Sequence, residues 1–272
     1  MDAPPLTPFP APDPAALADV LGPLASAFDI RWVENCDSTN SALLEAPPAD
    51  DGRAHVLVAT RQTAGRGRRG RQWLAWPGAS LTFSVLWRFA PGASAPAGLS
   101  LVVGLALACT LEKLGVAAVA LKWPNDVLVQ GAKLAGILVE LLPGRGDAPA
   151  AVIGVGLNLR LPADAVIPGC EGGVTDLARE MDEPPSRECL LAAFLAELHP
   201  MLATYADAGF GLLKDAWLQR NAFANLPVKV SDENAEIVGI CLGVDEDGAL
   251  LVRDGGGVRR VLAGEVSLRA GS

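Results

Sequence analysis

The sequence predicts an α+β fold, a mixed β-sheet with helices packed on one face, followed by a small C-terminal β-barrel. Three observations carry this. Residues 80 to 89 alternate as a strand does, with Leu81, Phe83, Val85 and Trp87 on one side and Thr82, Ser84 and Arg88 mainly on the other. The run from Leu99 to Leu114 is apolar at most positions, which marks a helix buried on most sides. From Pro227 onward, short alternating segments around Val228, Ile237, Leu250 and Val261 are punctuated by Asp247-Gly248 and Gly255-Gly256-Gly257, the pattern of a small antiparallel barrel.

Taken in order, the first thirty residues are rich in Pro and Ala and hold one short helix, capped by Asp13 and started by Pro14. A second helix begins near Asp37-Ser38-Thr39, and a strand at His55 to Thr60 leads into an arginine-rich loop. The strand over 80 to 89 reads as half-buried, and the buried helix follows it. Next comes a hairpin, Val127 to Gln130 and Lys133 to Leu141, with Gly131-Ala132 as its two-residue turn. A Pro/Gly-rich surface loop, Pro143 to Ala150, precedes a strand at Ala151 to Leu159. Leu191, Phe194, Leu195, Leu198 and Leu202 then recur at helical spacing after Pro184-Pro185-Ser186. Composition changes between Asn221 and Pro227, so we divide the chain into an extension (1–30), a main domain (31–222) and a C-terminal domain (223–272).

The chain has 272 residues, half of them apolar and 19% charged, with a mean hydropathy of +0.30. That is enough to bury a large core, and it excludes a disulfide-stapled miniprotein and extended disorder. The longest apolar stretch lies within Leu99 to Leu111, short of the ~20 residues of a bilayer crossing. The N-terminus, with Asp2 and scattered prolines, does not read as a signal peptide, and a cytoplasmic protein is expected. Cys36, Cys109, Cys170, Cys189 and Cys241 are odd in number and widely spaced, so they read as reduced packing residues rather than a disulfide framework or a zinc cluster. His55 and His199 have no partner motif and read as structural or exposed.

Charge is unevenly placed. Between Gly52 and Leu111 there is no Asp or Glu, while Arg53, Arg61, Arg66, Arg68, Arg69, Arg71 and Arg88 give the stretch +7, which leaves −16 on the rest of a chain whose total is −9. An acidic protein with one arginine-rich segment fits a small anionic ligand better than a nucleic acid, because guanidinium forks match phosphate and carboxylate. Within the segment, Gly65-Arg66-Gly67-Arg68-Arg69-Gly70 matches G-x-G-x-x-G. A dinucleotide fingerprint also needs an acid about 20 residues on, and the acid-free stretch has none. The glycines instead let the loop fold over a ligand, the arginines point donors into it, and their mutual repulsion predicts that it orders when an anion binds.

Five motifs occur along the chain: Asp37-Ser38-Thr39-Asn40; Gln62 through Gly65-Arg66-Gly67-Arg68-Arg69-Gly70 to Trp73; Lys122-Trp123-Pro124-Asn125-Asp126; Lys133-Leu134-Ala135-Gly136-Ile137-Leu138-Val139-Glu140; and Gly154-Val155-Gly156-Leu157-Asn158. In this order they resemble the biotin protein ligases, and the resemblance runs from about Asn35 to Arg269, with Gly264 to Arg269 similar to the end of that family's small barrel. It implies a class II synthetase-like catalytic domain with an SH3-like barrel. The family's gene-regulating members add an N-terminal DNA-binding module for which this chain has no room, so a ligase-only form is expected, with no DNA or membrane partner.

The resemblance implies a two-step reaction. ATP and biotin give biotinyl-5′-AMP and diphosphate, and a lysine of a biotin carboxyl carrier protein, an acyl-CoA carboxylase subunit, then takes the biotinyl group. ATP and Mg²⁺ serve as co-substrate and ion, and no tightly bound cofactor is implied. No enzyme nucleophile is needed, since an ionised carboxylate attacks the α-phosphate directly and catalysis becomes positioning and charge stabilisation.

By the same resemblance, biotin is bound by Ser38, Thr39, Asn40, Gln62, Arg66, Gly67, Arg68, Lys133, Gly136 and Gly156, and ATP by Arg69, Arg71, Trp73, Asn125 and Asn158. Arg66, Arg68, Lys133 and Asp126 carry the catalysis, Asp126 by orienting the acceptor amine or helping to place Mg²⁺. Without the resemblance, Ser38 and Thr39 read equally as helix caps, Lys133 as a solvated strand lysine, the glycines as bulges and Trp73 as core.

Three other readings stand beside this one: a lipoate ligase using the same adenylation logic, a non-enzymatic anion or nucleic-acid module built on the arginine loop, and, least, a nicotinamide oxidoreductase. Strand edges around 127 to 141 and 151 to 159 allow a homodimer without requiring one.

Overall fold

The computed structural model describes residues 13–76, 78–90, 97–142, 149–163, 165, 167, 169–170, 172–231, 236–262 and 264–268. Most of the expected Pro143–Ala150 loop and the first twelve residues of the expected extension lie outside them. In chain order the elements are α1 (Pro14–Leu21), β1 (Phe28–Cys36), α2 (Thr39–Glu45), β2 (Ala54–Gln62), β3 (Ser80–Arg88), α3 (Leu99–Lys113), β4 (Val119–Lys122), β5 (Asp126–Val129), β6 (Ala132–Leu142) and β7 (Ala150–Asn158). They continue with α4 (Leu177–Glu180), α5 (Arg187–Ala208), α6 (Lys214–Leu218), β8 (Pro227–Ser231), β9 (Glu236–Val244), β10 (Leu250–Asp254), β11 (Gly257–Val261) and β12 (Glu265–Leu268).

Seven strands form one mixed sheet in the order β1-β2-β3-β7-β6-β5-β4. Only β1 and β2 run parallel; every other neighbour is antiparallel. The central strand β3 shows how the two faces differ. The Phe83 ring meets Phe194 of α5 edge to face at 5.4 Å, while Ser84, pointing the other way, contacts Thr39 and Asn40 of α2. The long helices α3 and α5 therefore cover one face, and the short α2 lies on the other.

The expectation of a half-buried β3 is corrected here: Thr82 and Ser84 are as buried as Phe83 and Val85. Its polar side faces a built polar site instead of water. Truncating a buried side chain such as Leu191, Phe194 or Leu198 of α5 costs roughly 2–5 kcal/mol. Of the described helices, α5 alone is long and apolar enough to cross a membrane, and its leucines are spent on this core.

Local chemistry sets the element ends. Asp13 accepts from the backbone N–H of Ala15 and Ala16, with Pro14 in the first helical position, and Leu17 and Leu21 of that helix join the main core. Ser38 caps α2 and Ser186 caps α5. The β5–β6 turn consists of Gln130 and Gly131, both left-handed (φ 50° and 85°), with Val129 opposite Ala132. Glycine is thus the second turn residue, one place earlier in the chain than the Gly131-Ala132 turn expected, because a type I′ turn fits the strand twist and needs two positive φ values.

Strands β1 and β4, not anticipated, are the two sheet edges. The segment after α6 covers β4: Leu121 N–H donates to the Arg220 carbonyl at 2.7 Å and Ala222 N–H to that of Leu121 at 2.9 Å. The C-terminal strands form a five-stranded antiparallel sheet, β11-β10-β9-β8-β12. Its Val228, Val230 and Val252 continue the main core, and Trp123 Nε1 donates to the Gly248 carbonyl at 3.0 Å.

Both histidines are structural. His55 is buried between Asp29 and Asp51, and His199 packs against the rings of Phe28 and Trp87. All five cysteines are free.

Candidate active site

On the α2 side of the sheet lies an open cavity, with about 850 Å³ of empty space when the solvent at its mouth is counted. Its floor is glycine by necessity. A Cβ on Gly154 would stand 2.3 Å from Asn40 Oδ1, and one on Gly156 would stand 2.3 Å from Trp73 Cε2, distances no side chain can hold. Both glycines have ordinary backbone angles, so space and not conformation selects them, and neither forms a bulge. Trp73 is half-buried on this floor, beside Gly136, with Lys133 Nζ 5.9 Å from its ring centroid.

One end of the cavity is a dense polar cluster. Thr39 donates its backbone N–H and its hydroxyl to Gln62 Oε1 at 2.7 and 3.2 Å. The Ser84 hydroxyl lies 2.6 Å from Thr39 Oγ1 and 2.5 Å from Asn40 Oδ1. Ser38 caps α2 through its hydroxyl and also lines the cavity, so the capping and site readings both hold for it.

The arginine loop is a short hairpin above the floor. Arg66 bridges Gln72, Gly67 N–H donates to the Arg71 carbonyl at 2.7 Å, and Trp73 N–H donates to the Gly65 carbonyl at 2.9 Å. One 3₁₀ turn, Arg68 to Gly70, forms the tip, where Arg69 is left-handed (φ 55°). No long helix opens at this loop, contrary to what a dinucleotide fingerprint needs. Arg66, Gly67, Arg68 and Arg71 line the cavity, whereas Arg69 is exposed at the tip, outside the lining. Arg68 Nη1 reaches Asn125 Oδ1 at 3.3 Å and the Gly264 carbonyl at 3.5 Å, which ties the loop to the C-terminal domain.

Lys133 stands at a β-bulge. The β5–β6 register shifts between Val127 and Leu128, so Lys133 and Gly136, three apart, come to the same face while Leu134 is fully buried. Lys133 Nζ is 2.6 Å from Asp126 Oδ1. Asn158 holds the same strand, its Nδ2 donating to the Thr175 carbonyl at 3.0 Å and that of Lys133 at 3.5 Å, while its buried Oδ1 has no partner among the described residues. Asn125 donates to the Ile137 carbonyl at 2.8 Å.

Residues 33–158 match the Biotin/lipoate A/B protein ligase family, and residues 225–269 match the biotin protein ligase C-terminal domain. The bifunctional ligase/repressor BirA of Escherichia coli is 40% identical over 236 residues, 86% of this chain and 72% of that protein. The biotin–acetyl-CoA-carboxylase ligase of Paracoccus denitrificans is 38% identical over 85% of this chain and 96% of its own.

The chain belongs to the biotin protein ligase family.

Among solved structures, the ligase is similar to the biotin protein ligase of Aquifex aeolicus in complex with biotin and ATP, with a TM-score of 0.75 and 30% identity, covering 89% of this chain and 99% of that one. Of the residues singled out from sequence, Ser38, Thr39, Asn40, Gln62, Lys133, Gly136, Gly156 and those of the loop other than Arg69 surround one cavity, with Asp126 behind Lys133.

Three residues of the ligase escaped the sequence reading. Ser84 was legible only as the polar side of a strand. Glu140 ends a motif but gave no sign of its partners. Cys170, read as packing, lines the cavity, and burial pushes its thiol pKa up.

Proposed function

We propose that this ligase joins biotin to ATP as biotinyl-5′-AMP and passes the biotinyl group to a lysine of a biotin carboxyl carrier protein. The observation that carries the reading is a single cavity lined both by neutral polar side chains, Ser38, Thr39, Asn40 and Gln62, and by the cations Lys133, Arg66 and Arg68. A ureido ring needs donors and acceptors on both edges, and Ser38, Thr39 and Gln62 offer them. A carboxylate and a phosphate need cations, and the three basic side chains supply them.

In the first step a biotin carboxylate oxygen bonds to the α-phosphorus and the bond to the β-phosphate oxygen breaks, releasing diphosphate. Lys133 and the arginines offset the charge gathered there; one such donor supplies roughly 3 kcal/mol of barrier lowering. Trp73, Asn158 and Arg71, which line the same cavity, take the nucleotide. In the second step the carrier amine bonds to the acyl carbon, AMP leaves with the bond electrons, and the amine proton is lost. Asp126, beside Lys133, orients that amine.

Magnesium fits this site as an ion carried by ATP. No group of three or more His, Cys, Asp and Glu among the described residues could cage a cation. Magnesium is content with one or two protein oxygens and phosphate, and the unpartnered Asn158 Oδ1 and the Asp126 carboxylate are the oxygens at hand. The ion would neutralise phosphate charge.

Biotin-dependent exchange of labelled diphosphate into ATP tests the first step. Exchange that needs biotin supports it, and exchange driven by lipoate and not by biotin rejects it. The names of relatives that act on acetyl-CoA carboxylase support the choice of acceptor.

A further inference from the structure

Glu140 has no place in the scheme above, yet it joins its two halves. It lies on the cavity side of β6, with its side chain about one quarter exposed. One oxygen, Oε1, accepts from Arg66 Nη2 at 2.6 Å, and the other, Oε2, accepts from Asn40 Nδ2 at 2.9 Å. The second Asn40 amide proton goes to the Leu138 carbonyl at 3.2 Å, and Asn40 Oδ1 faces the Ser84 hydroxyl. Asn40 is therefore fixed in both position and flip, and the hole over Gly154 is what admits it. Glu140 hangs from this rigid cluster and grips Arg66, which also reaches α2 through Ser41 Oγ at 3.3 Å.

We propose that Glu140 is a positioning residue for Arg66, a latch that holds the arginine loop down on the biotin end of the cavity. The residue type follows from the chemistry. Two donors approach one side chain, and only a carboxylate is an acceptor at both oxygens. Glutamine satisfies one donor and turns an N–H toward the other. Aspartate is an acceptor at both oxygens but one methylene short of spanning Asn40 and Arg66. The pair also offsets the Arg66 charge locally, which lessens the repulsion among the loop arginines. The role assigned to Arg66 rests on the adenylation reading; the latch itself does not.

The first test is limited trypsin digestion of the ligand-free ligase, reading cleavage after Arg68, Arg69 and Arg71, the loop sites that every variant keeps. Loss of a charge-assisted hydrogen bond should expose the loop, so Glu140→Ala is cut about ten-fold faster than wild type, with Glu140→Gln between them. Arg66→Ala should be cut as fast as Glu140→Ala, and the double variant no faster than either. Wild-type cleavage of Glu140→Ala, or effects of the two substitutions that multiply, overturns the proposal. If Glu140→Ala fails to fold, Glu140→Gln carries the same comparison.

The second test is release of biotinyl-AMP from the loaded enzyme. Glu140→Ala should release it about ten-fold faster, again without adding to Arg66→Ala. Unchanged release from Glu140→Ala rejects the latch as a part of ligand retention. A wild-type enzyme that forms no biotinyl-AMP would sink the functional reading, and the digestion would still decide the latch.

Discussion

Lys133 Nζ lies 2.6 Å from Asp126 Oδ1 across the β5–β6 hairpin, at the point where the bulge turns Lys133 toward the cavity. The ion pair explains how a strand lysine is aimed without touching a ligand. Its ammonium is held by a carboxylate on one side and stands over the Trp73 ring on the other. A substrate carboxylate or phosphate entering the cavity meets a cation already in place. Lys133→Ala should lower biotin-dependent diphosphate release by about 10²- to 10³-fold. Asp126→Asn should slow adenylation, transfer or both by about ten-fold, through a misdirected Lys133 or a misplaced acceptor. Single-turnover assays of each half-reaction check this, and wild-type rates in both for Asp126→Asn refute the role.

Gly156→Ala places a methyl where Trp73 now lies, 2.3 Å from its ring. Overpacking of this kind costs roughly 1–3 kcal/mol, too little to unfold the sheet. The cost should appear as displacement of Trp73: altered tryptophan fluorescence and a raised KM for ATP, with unfolding still cooperative. An unchanged KM for both substrates would mean that the ring has no role in the site.

Arg68 joins the loop to Asn125 and to the C-terminal domain at Gly264. Arg68→Gly should release the clasp and let biotinyl-AMP escape into solution. Rapid filtration after one turnover measures the fraction retained. Retention equal to wild type rejects this clasp.

Burial holds the Cys170 thiol pKa above its ordinary value, so less thiolate is present at pH 8 than for an exposed cysteine. Iodoacetamide should label Cys170 slowly at that pH and faster as pH rises, the thiolate fraction growing with each step. Because the residue lines the cavity, biotin with ATP should protect it. Peptide mapping separates it from the other four cysteines; equal labelling with and without ligands contradicts its placement in the wall of the ligand cavity.

How much of this was legible beforehand depends on where each signal resides. Local signals carried well: the Asp13 cap, the helix start after Pro184-Pro185-Ser186, the uniform apolar run of α3, and the Asp-Gly and Gly-Gly turns of the small C-terminal sheet. β3 was found but misread, since alternation tells polar from apolar and not water from a polar pocket. The hairpin turn was misplaced by one residue because Gln130 is an unusual occupant of a left-handed position. β1 was missed because Asp29, Arg31 and Glu34 dilute an edge strand, and β4 because it is four residues long. The motifs named the cavity's residues, but not that Arg69 lies outside its lining. The partners of Glu140 lie 74 and 100 residues away in sequence, and no spacing rule reaches that far.

The most direct test of the account is the intact mass of a purified biotin carrier domain after incubation with this protein, biotin, ATP and Mg²⁺, with lipoate run in parallel. The account predicts a gain of one biotinyl group, dependent on ATP and absent with lipoate. A lipoyl gain without a biotinyl one, or no gain together with no diphosphate release, would contradict it.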